Sequence, residues 1–162
     1  MFPLKPLGRN SVDGALAKAE RYRFLNEPGE AESICLDILE VDPGNQAARI
    51  ALLLALSDQL VVEPHAFARA REVVDTLTNA YDRAYYGGLV AERRAKAQLA
   101  RHGAGAYDWI AEAMACFEQA EALRPAGNDD AVLRWNACVR FLEKHPYLRP
   151  GSEERTEIEM LE

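Results

Sequence analysis

The stretch CLDILEVDPGNQAA, residues 35–48, decides the fold. It closes one apolar helical pattern at Asp42-Pro43-Gly44 and opens another at Asn45. Pro cannot continue a helix interior and Gly tolerates left-handed backbone, so the triplet is a stop. Reading outward, Ala31 lies twelve residues before Pro43 and Cys35 eight before it. The same intervals return in AMACFEQAEALRP, residues 113–125, where Ala113 is twelve and Phe117 eight residues before Pro125. A small residue, a larger one and a terminal Pro at fixed spacing, met twice, predict a repeated helical unit.

The rest of the chain agrees with an all-α reading. Ala occurs 27 times in 162 residues, and it combines the best helix propensity with little volume. Apolar residues at three-to-four spacing predict about seven helices. They run from Ser11 to about Asn26, Glu30 to Val41, from near Asn45 through RIALLLALSDQL to Glu63-Pro64, His65 to about Thr78, Tyr81 to Arg101, Tyr107 to Leu123, and Asn128 to Lys144. The third is apolar nearly all round and is expected in the middle, covered on several sides. Ala70, Val74 and Leu77 are expected to face inward from the fourth, and Val132, Trp135, Val139 and Leu142 from the seventh. Gly87-Gly88 marks either a close helix contact or a bend. Residues 1–10 read as an extended arm blocked by Pro3 and Pro6, 11–146 as the helical domain, and 147–162 as an acidic tail.

These intervals resemble the tetratricopeptide repeat, a helix pair of about 34 residues with small residues at the helix crossing. Placed from Val12 to Asn45, the first repeat puts Ala19 and Ala31 at the small positions, Tyr22 at the aromatic one and Pro43 at the end, with Ala15 where the family has Trp and Ile38 where it has a small residue. Pro125 follows Pro43 by 82 residues, whereas two ideal repeats give about 68, so the third pair has a longer turn or longer helices. The second repeat has no closing Pro, and Thr78-Asn79-Ala80 must end it. The resemblance implies a right-handed superhelical stack of antiparallel helix pairs, about three degenerate repeats with a capping helix. A plain helical bundle is the rival reading, since the same apolar periods serve it.

Chemistry has little foothold. His65, His102 and His145 are isolated from one another and from Cys, so no metal site is expected. Cys35, Cys116 and Cys138 are far apart in apolar helical patterns, which predicts reduced structural thiols. Gly103-x-Gly105 follows a helix and is too short for a dinucleotide loop. Asp129-Asp130 sits at a helix start, where carboxylates meet the helix dipole without any catalytic role. No catalytic residue and no cofactor is predicted. The formal charge is −7, of which residues 151–162 carry five Glu and one Arg, and no Lys/Arg cluster exists, which argues against nucleic acid and against anionic membranes. No run of 18 apolar residues and no secretion signal is seen, so a cytoplasmic protein is expected. Arg outnumbers Lys by 15 to 4, which hints at a bacterial origin by association only.

In the family, the first helix of each pair lines a concave face that holds a peptide or helix. That geometry, carried onto this chain, picks out Leu16, Glu20, Arg23 and Phe24 (beside Asp13), then Ile50 and Leu54 (beside Ala47), then Tyr85, Tyr86, Leu89 and Arg93 (beside Asp82). Aromatic and Arg side chains are those that carry binding energy at interfaces. Leu16, Glu20 and Ala51 stand where family members that clamp a terminal carboxylate have basic or amide side chains, so that clamp is not expected. Tyr85 and Tyr86 have a plainer reading as packing residues. The implied function is a protein–protein interaction module: an adaptor, assembly factor or specialised chaperone. The alternative is a structural subunit that self-associates, including as a homo-oligomer. Phe2, Leu4 and Leu7 on the arm, and Ile158, Met160 and Leu161 in the tail, raise a further expectation that one end lies in the groove, against the plainer reading of a solvated tail.

Overall fold

The computed structural model describes residues 1–151; Ile158, Met160 and Leu161, like the rest of 152–162, lie outside the described residues. Among the described residues there are seven α-helices and no strand. They are α1 (Val12–Phe24), α2 (Pro28–Val41), α3 (Gln46–Asp58), α4 (Ala66–Asp75), α5 (Ala80–Ala100), α6 (Ala106–Leu123) and α7 (Asp130–Lys144). Short 3₁₀ turns flank them at Arg9–Ser11 and Pro146–Leu148. Helices consecutive in sequence pack on one another throughout, and α1 with α3 and α3 with α5 also touch.

Local chemistry sets the boundaries. Helix α1 stops where Asn26 takes φ +59°, and the Glu27 N–H reaches back to the Tyr22 carbonyl at 2.9 Å. Asn pays little for left-handed backbone, so the helix closes there without Gly. Pro28 opens α2, where its missing N–H costs nothing. Asn45 caps α3 by accepting from the Ala48 N–H at 2.9 Å, and Asn79 caps α5 by accepting from the Asp82 N–H at 3.2 Å. Helix α4 is shorter than its apolar pattern suggests and ends at Asp75, because the Thr76 hydroxyl donates to the Val73 carbonyl at 2.6 Å. Leu77 is buried all the same. Arg49 ties this end down, donating to the carbonyls of Thr76 (2.6 Å) and Pro43 (2.7 Å). The third pair is enlarged by its helices, 21 and 18 residues long against 13 and 14 in the first pair.

The core falls into clusters that shared helices connect. Ala19 and Ala31 are fully buried where α1 crosses α2. Helix α3 buries Ala48, Ala51, Leu52, Leu53, Ala55, Leu56 and Ser57, as an all-round apolar helix flanked by α1, α2, α4 and α5 must. A first cluster joins α1 to α4 and extends onto Val90 and Ala97 of α5; a second joins α5, α6 and α7 around Phe117. Helix α5 therefore belongs to both. The glycine pair divides its work: a Cβ on Gly88 would stand 2.6 Å from the Phe117 ring, whereas one on Gly87 would meet only Val74 at 3.7 Å. Gly88 marks a close contact between α5 and α6. In α7 the fully buried positions are Ala131 and Cys138, while Val132, Trp135, Val139 and Leu142 are half-buried. As the last described helix it packs mainly on α6, so its apolar stripe is only partly covered. Leu7 anchors the arm against Val12 and Ile38, while Phe2 and Leu4 remain exposed.

Candidate functional site

Polar side chains tie the odd-numbered helices to one another. At the end of α3, Asp58 accepts from two guanidinium groups: Arg23 Nε of α1 at 2.8 Å and Arg93 Nη1 of α5 at 2.8 Å. Arg93 also donates to Ser57 Oγ (2.6 Å) and the Leu54 carbonyl (3.2 Å). Burial lowers the Arg93 pKa, and the Asp58 charge opposes that shift. Arg23 and Arg93, read separately from the sequence, thus meet on a shared carboxylate that the sequence reading did not single out.

A second knot joins α5 to α7. Glu92 is only 2% exposed, yet it is charged: Lys96 Nζ donates to Oε1 at 2.6 Å, Arg134 Nε to Oε2 at 3.1 Å, and Arg134 Nη2 to Oε1. Burial alone would raise its pKa. The hydrogen bonds and charges of Arg134 and Lys96 outweigh burial and hold it below the ordinary carboxylate range. Its sequence signal is its register. Ala84, Gly88, Glu92 and Ala95 follow one another at three-to-four spacing, so Glu92 occupies an inward position in a stripe of small residues. A carboxylate there requires a cation from another helix.

The apolar candidates divide. Leu16, Ile50, Leu54 and Tyr86 are half-buried against the first core cluster, and Tyr85 and Leu89 against the second. Tyr85 stacks on Tyr81 with centroids 5.7 Å apart, meets Tyr86 edge-on at 5.1 Å and lies 6.0 Å from the Phe117 ring. Burial raises both phenol pKa values, so both stay neutral near pH 7. Packing therefore occupies much of these two side chains. Glu20 is exposed, and Phe24 is 90% exposed at the end of α1. Arg23, Phe24, Asn26, Pro28 and Asp58 line a depression of about 240 Å³.

The remaining reactive groups are dispersed. Burial pushes the Cys35 and Cys138 thiols up to about 11 and raises that of half-buried Cys116. His65 precedes α4, His102 lies in the turn after α5 and His145 follows α7. Among the described residues no group of three or more His, Cys, Asp and Glu side chains could hold a metal ion. No helix among them is long and apolar enough to cross a membrane. Comparison with protein-family models, with curated proteins and with solved structures finds no match. A functional reading of this chain therefore rests on its own residues.

Proposed function

We propose that this chain is a protein-binding module of tetratricopeptide-like build. Its helix pairs would wind as a right-handed superhelical stack, and the face of α1, α3 and α5 would hold a partner peptide or helix at equilibrium, without turnover. The observation that carries the reading is the Arg23–Asp58–Arg93 bridge. It fixes three successive odd helices in register beside exposed Phe24 and half-buried Leu16, Ile50 and Leu54, a mixture of aromatic, Arg and aliphatic groups suited to an interface. Two further features support the repeat build: the buried Ala19 and Ala31 pair at the first crossing, and Gly88 against Phe117 in the third pair. An adaptor, assembly factor or specialised chaperone in the cytoplasm fits this reading.

The test is affinity capture with two baits, the wild type and a Glu20→Lys, Phe24→Ala variant. Both positions are exposed, so the variant keeps the core, which a Tyr85 or Leu89 truncation would not. A protein retained by wild type and lost by the variant is the expected result. Equal capture by both baits overturns the assignment of this face. A structural, self-associating subunit is the second reading. It is favoured by a groove of about 430 Å³ between the arm and α2, lined by Leu4, Leu7 and the exposed Leu36. Light scattering that shows a mass rising with concentration would select it.

A further inference from the structure

Helix α5 sets Asp82, Tyr86, Leu89 and Arg93 on one stripe at three-to-four spacing, all of them half-buried. Toward the Arg93 end the cations are already bonded: Arg93 shares Asp58 with Arg23, and Arg134 and Lys96 hold Glu92. At the opposite end the carboxylates are not. Among the described residues, neither Asp82 in the first turn of α5 nor Asp130 in the first turn of α7 forms an ion pair. The cations closest to them in sequence are engaged elsewhere: Arg83 donates to the Leu77 and Thr78 carbonyls, and Arg124 pairs with Glu121 and Asp129. Burial raises the Asp82 carboxyl above its ordinary range, with no hydrogen bond or cation to offset it. The dipole of each helix start favours these carboxylates without neutralising them.

Both carboxylates act on a patch of three half-buried tyrosines. Tyr81 and Tyr85 stack in parallel and Tyr86 meets Tyr85 edge-on, so the patch presents ring faces in two directions. Asp82 and Asp130 bear on Tyr81 and Tyr86, and no cation does. On Tyr85 the Asp130 charge outweighs that of Arg134. An aromatic ring face is itself the negative end of a quadrupole. Two unpaired carboxylates beside such faces build a negative potential that nothing among the described residues relieves. A cation against the rings relieves both at once, through the π faces and through the carboxylates.

We propose that this end of the odd-helix face takes a cationic side chain, lysine or arginine, of the partner segment, set against Tyr81, Tyr85 and Tyr86 with its charge toward Asp82 and Asp130. The proposal rests on reading that face as a binding surface, and it adds what the face selects. Leu89 follows Asp82 by seven residues, about 10 Å along the helix. Half-buried Ile50 and Leu54 of α3 extend the apolar part. The segment that fits carries an apolar side chain about 10 Å from its cation. An acidic residue in the cation's place meets like charge and is rejected.

The probe is the peptide acetyl-KALAL-amide, whose leucines stand about 7 and 13 Å from the lysine on the same side when it is extended. Aromatic proton–carbon NMR of the full chain follows the three rings, assigned through the single variants Tyr81→Phe, Tyr85→Phe and Tyr86→Phe. Saturable shifts of these rings are expected. Binding should be about tenfold weaker when uncharged norleucine replaces the lysine. That difference should vanish in the Asp82→Asn, Asp130→Asn variant, with circular dichroism as the check on its fold. The comparison of the two peptides on the wild type stands without any variant. Equal binding of both peptides, no saturable shift, or a lysine preference that survives in the folded double variant overturns the proposal. The Glu20→Lys, Phe24→Ala changes lie on α1 and should leave the lysine preference intact, so the two tests separate. Failure here with variant-sensitive capture intact removes the cation site alone. A lysine preference with equal capture by both baits supports the cation site and removes the α1 part of the face.

Discussion

Two adjacent glycines in α5 should respond oppositely to the same substitution. Both lie in the helix interior, where replacing Gly by Ala gains about 0.8–1 kcal/mol of backbone propensity. At Gly87 the new methyl meets only Val74 Cγ1, at 3.7 Å, an ordinary contact. Gly87→Ala should therefore stabilise the protein by most of that amount. At Gly88 the methyl would stand 2.6, 2.8 and 3.0 Å from three atoms of the Phe117 ring. That ring is fully buried and enclosed by Tyr85 and the second core cluster, so it cannot swing aside and the helices must part. Overpacking of this kind costs about 1–3 kcal/mol and exceeds the propensity gain over most of that range. The propensity gain is common to both, so the two variants should differ by the overpacking cost, about 1–3 kcal/mol, which is roughly 2–12 °C in melting temperature for a chain of this size. Paired thermal and urea melts, followed by circular dichroism, measure the difference. Equal stabilisation by both substitutions would refute the close α5–α6 contact and the role given to Gly88.

Three further outcomes are expected. Arg134→Met should cost about 2–4 kcal/mol at pH 7, because it leaves Glu92 buried with Lys96 as its remaining partner; the Glu92→Gln, Arg134→Met double variant should recover part of it, and a single-variant cost within 0.5 kcal/mol of zero refutes the account. The wild-type Glu92 pKa is depressed on folding, so its contribution is complete above the ordinary carboxylate pKa and is lost as pH falls through the depressed value. In Arg134→Met the burial cost is opposed less, so urea midpoints of variant and wild type should converge as pH falls from 7 to 4. Cys35 and Cys138, with thiol pKa values near 11, should be about 0.1% thiolate at pH 8 and resist a thiol reagent until urea is added, with Cys116 the more accessible; prompt labelling of all three in native buffer contradicts this. Asn45→Ala should destabilise by about 1 kcal/mol through loss of the α3 cap, measured by the same melts, whereas Asn45→Ser should restore most of it.

The element plan was legible because each helix carries its own punctuation. Pro43-Gly44, Asn79 and Gly105 act locally, and the Ala-rich three-to-four spacing needs no partner to be read. The early stop of α4 was not legible, since the hydroxyl of Thr76 closes the last turn while Leu77 continues the apolar pattern beyond it. Arg23 and Arg93 were picked out by carrying the repeat family's geometry onto this chain, but Asp58, which accepts from both, was not. A carboxylate at a helix end reads as solvated until a third helix places a guanidinium beside it. Arg134 escaped for the same reason: its partner Glu92 is 42 residues away in sequence, and only the packing of α7 brings them together. Tyr85 and Tyr86 were read both as packing and as binding residues, and periodicity alone could not apportion them, because a ring on a shared helix can face a neighbour on one side and water on the other.

The order in which helices touch has a consequence for how the chain matures. Consecutive helices make most of the tertiary contacts, and the main exceptions, α1 with α3 and α3 with α5, skip one helix only. Nearly every burial event is therefore available as soon as the next 15–40 residues have been made, on the scale of one helix pair. Contacts so close along the chain carry a small loop-closure penalty and favour rapid formation. During synthesis at roughly 5–20 residues per second, α1 and α2 can dock while α5 is still inside the ribosome. The exposed apolar flank of α3 then waits seconds for its cover. That interval, rather than the finished protein, is where this sequence is most vulnerable to the wrong company.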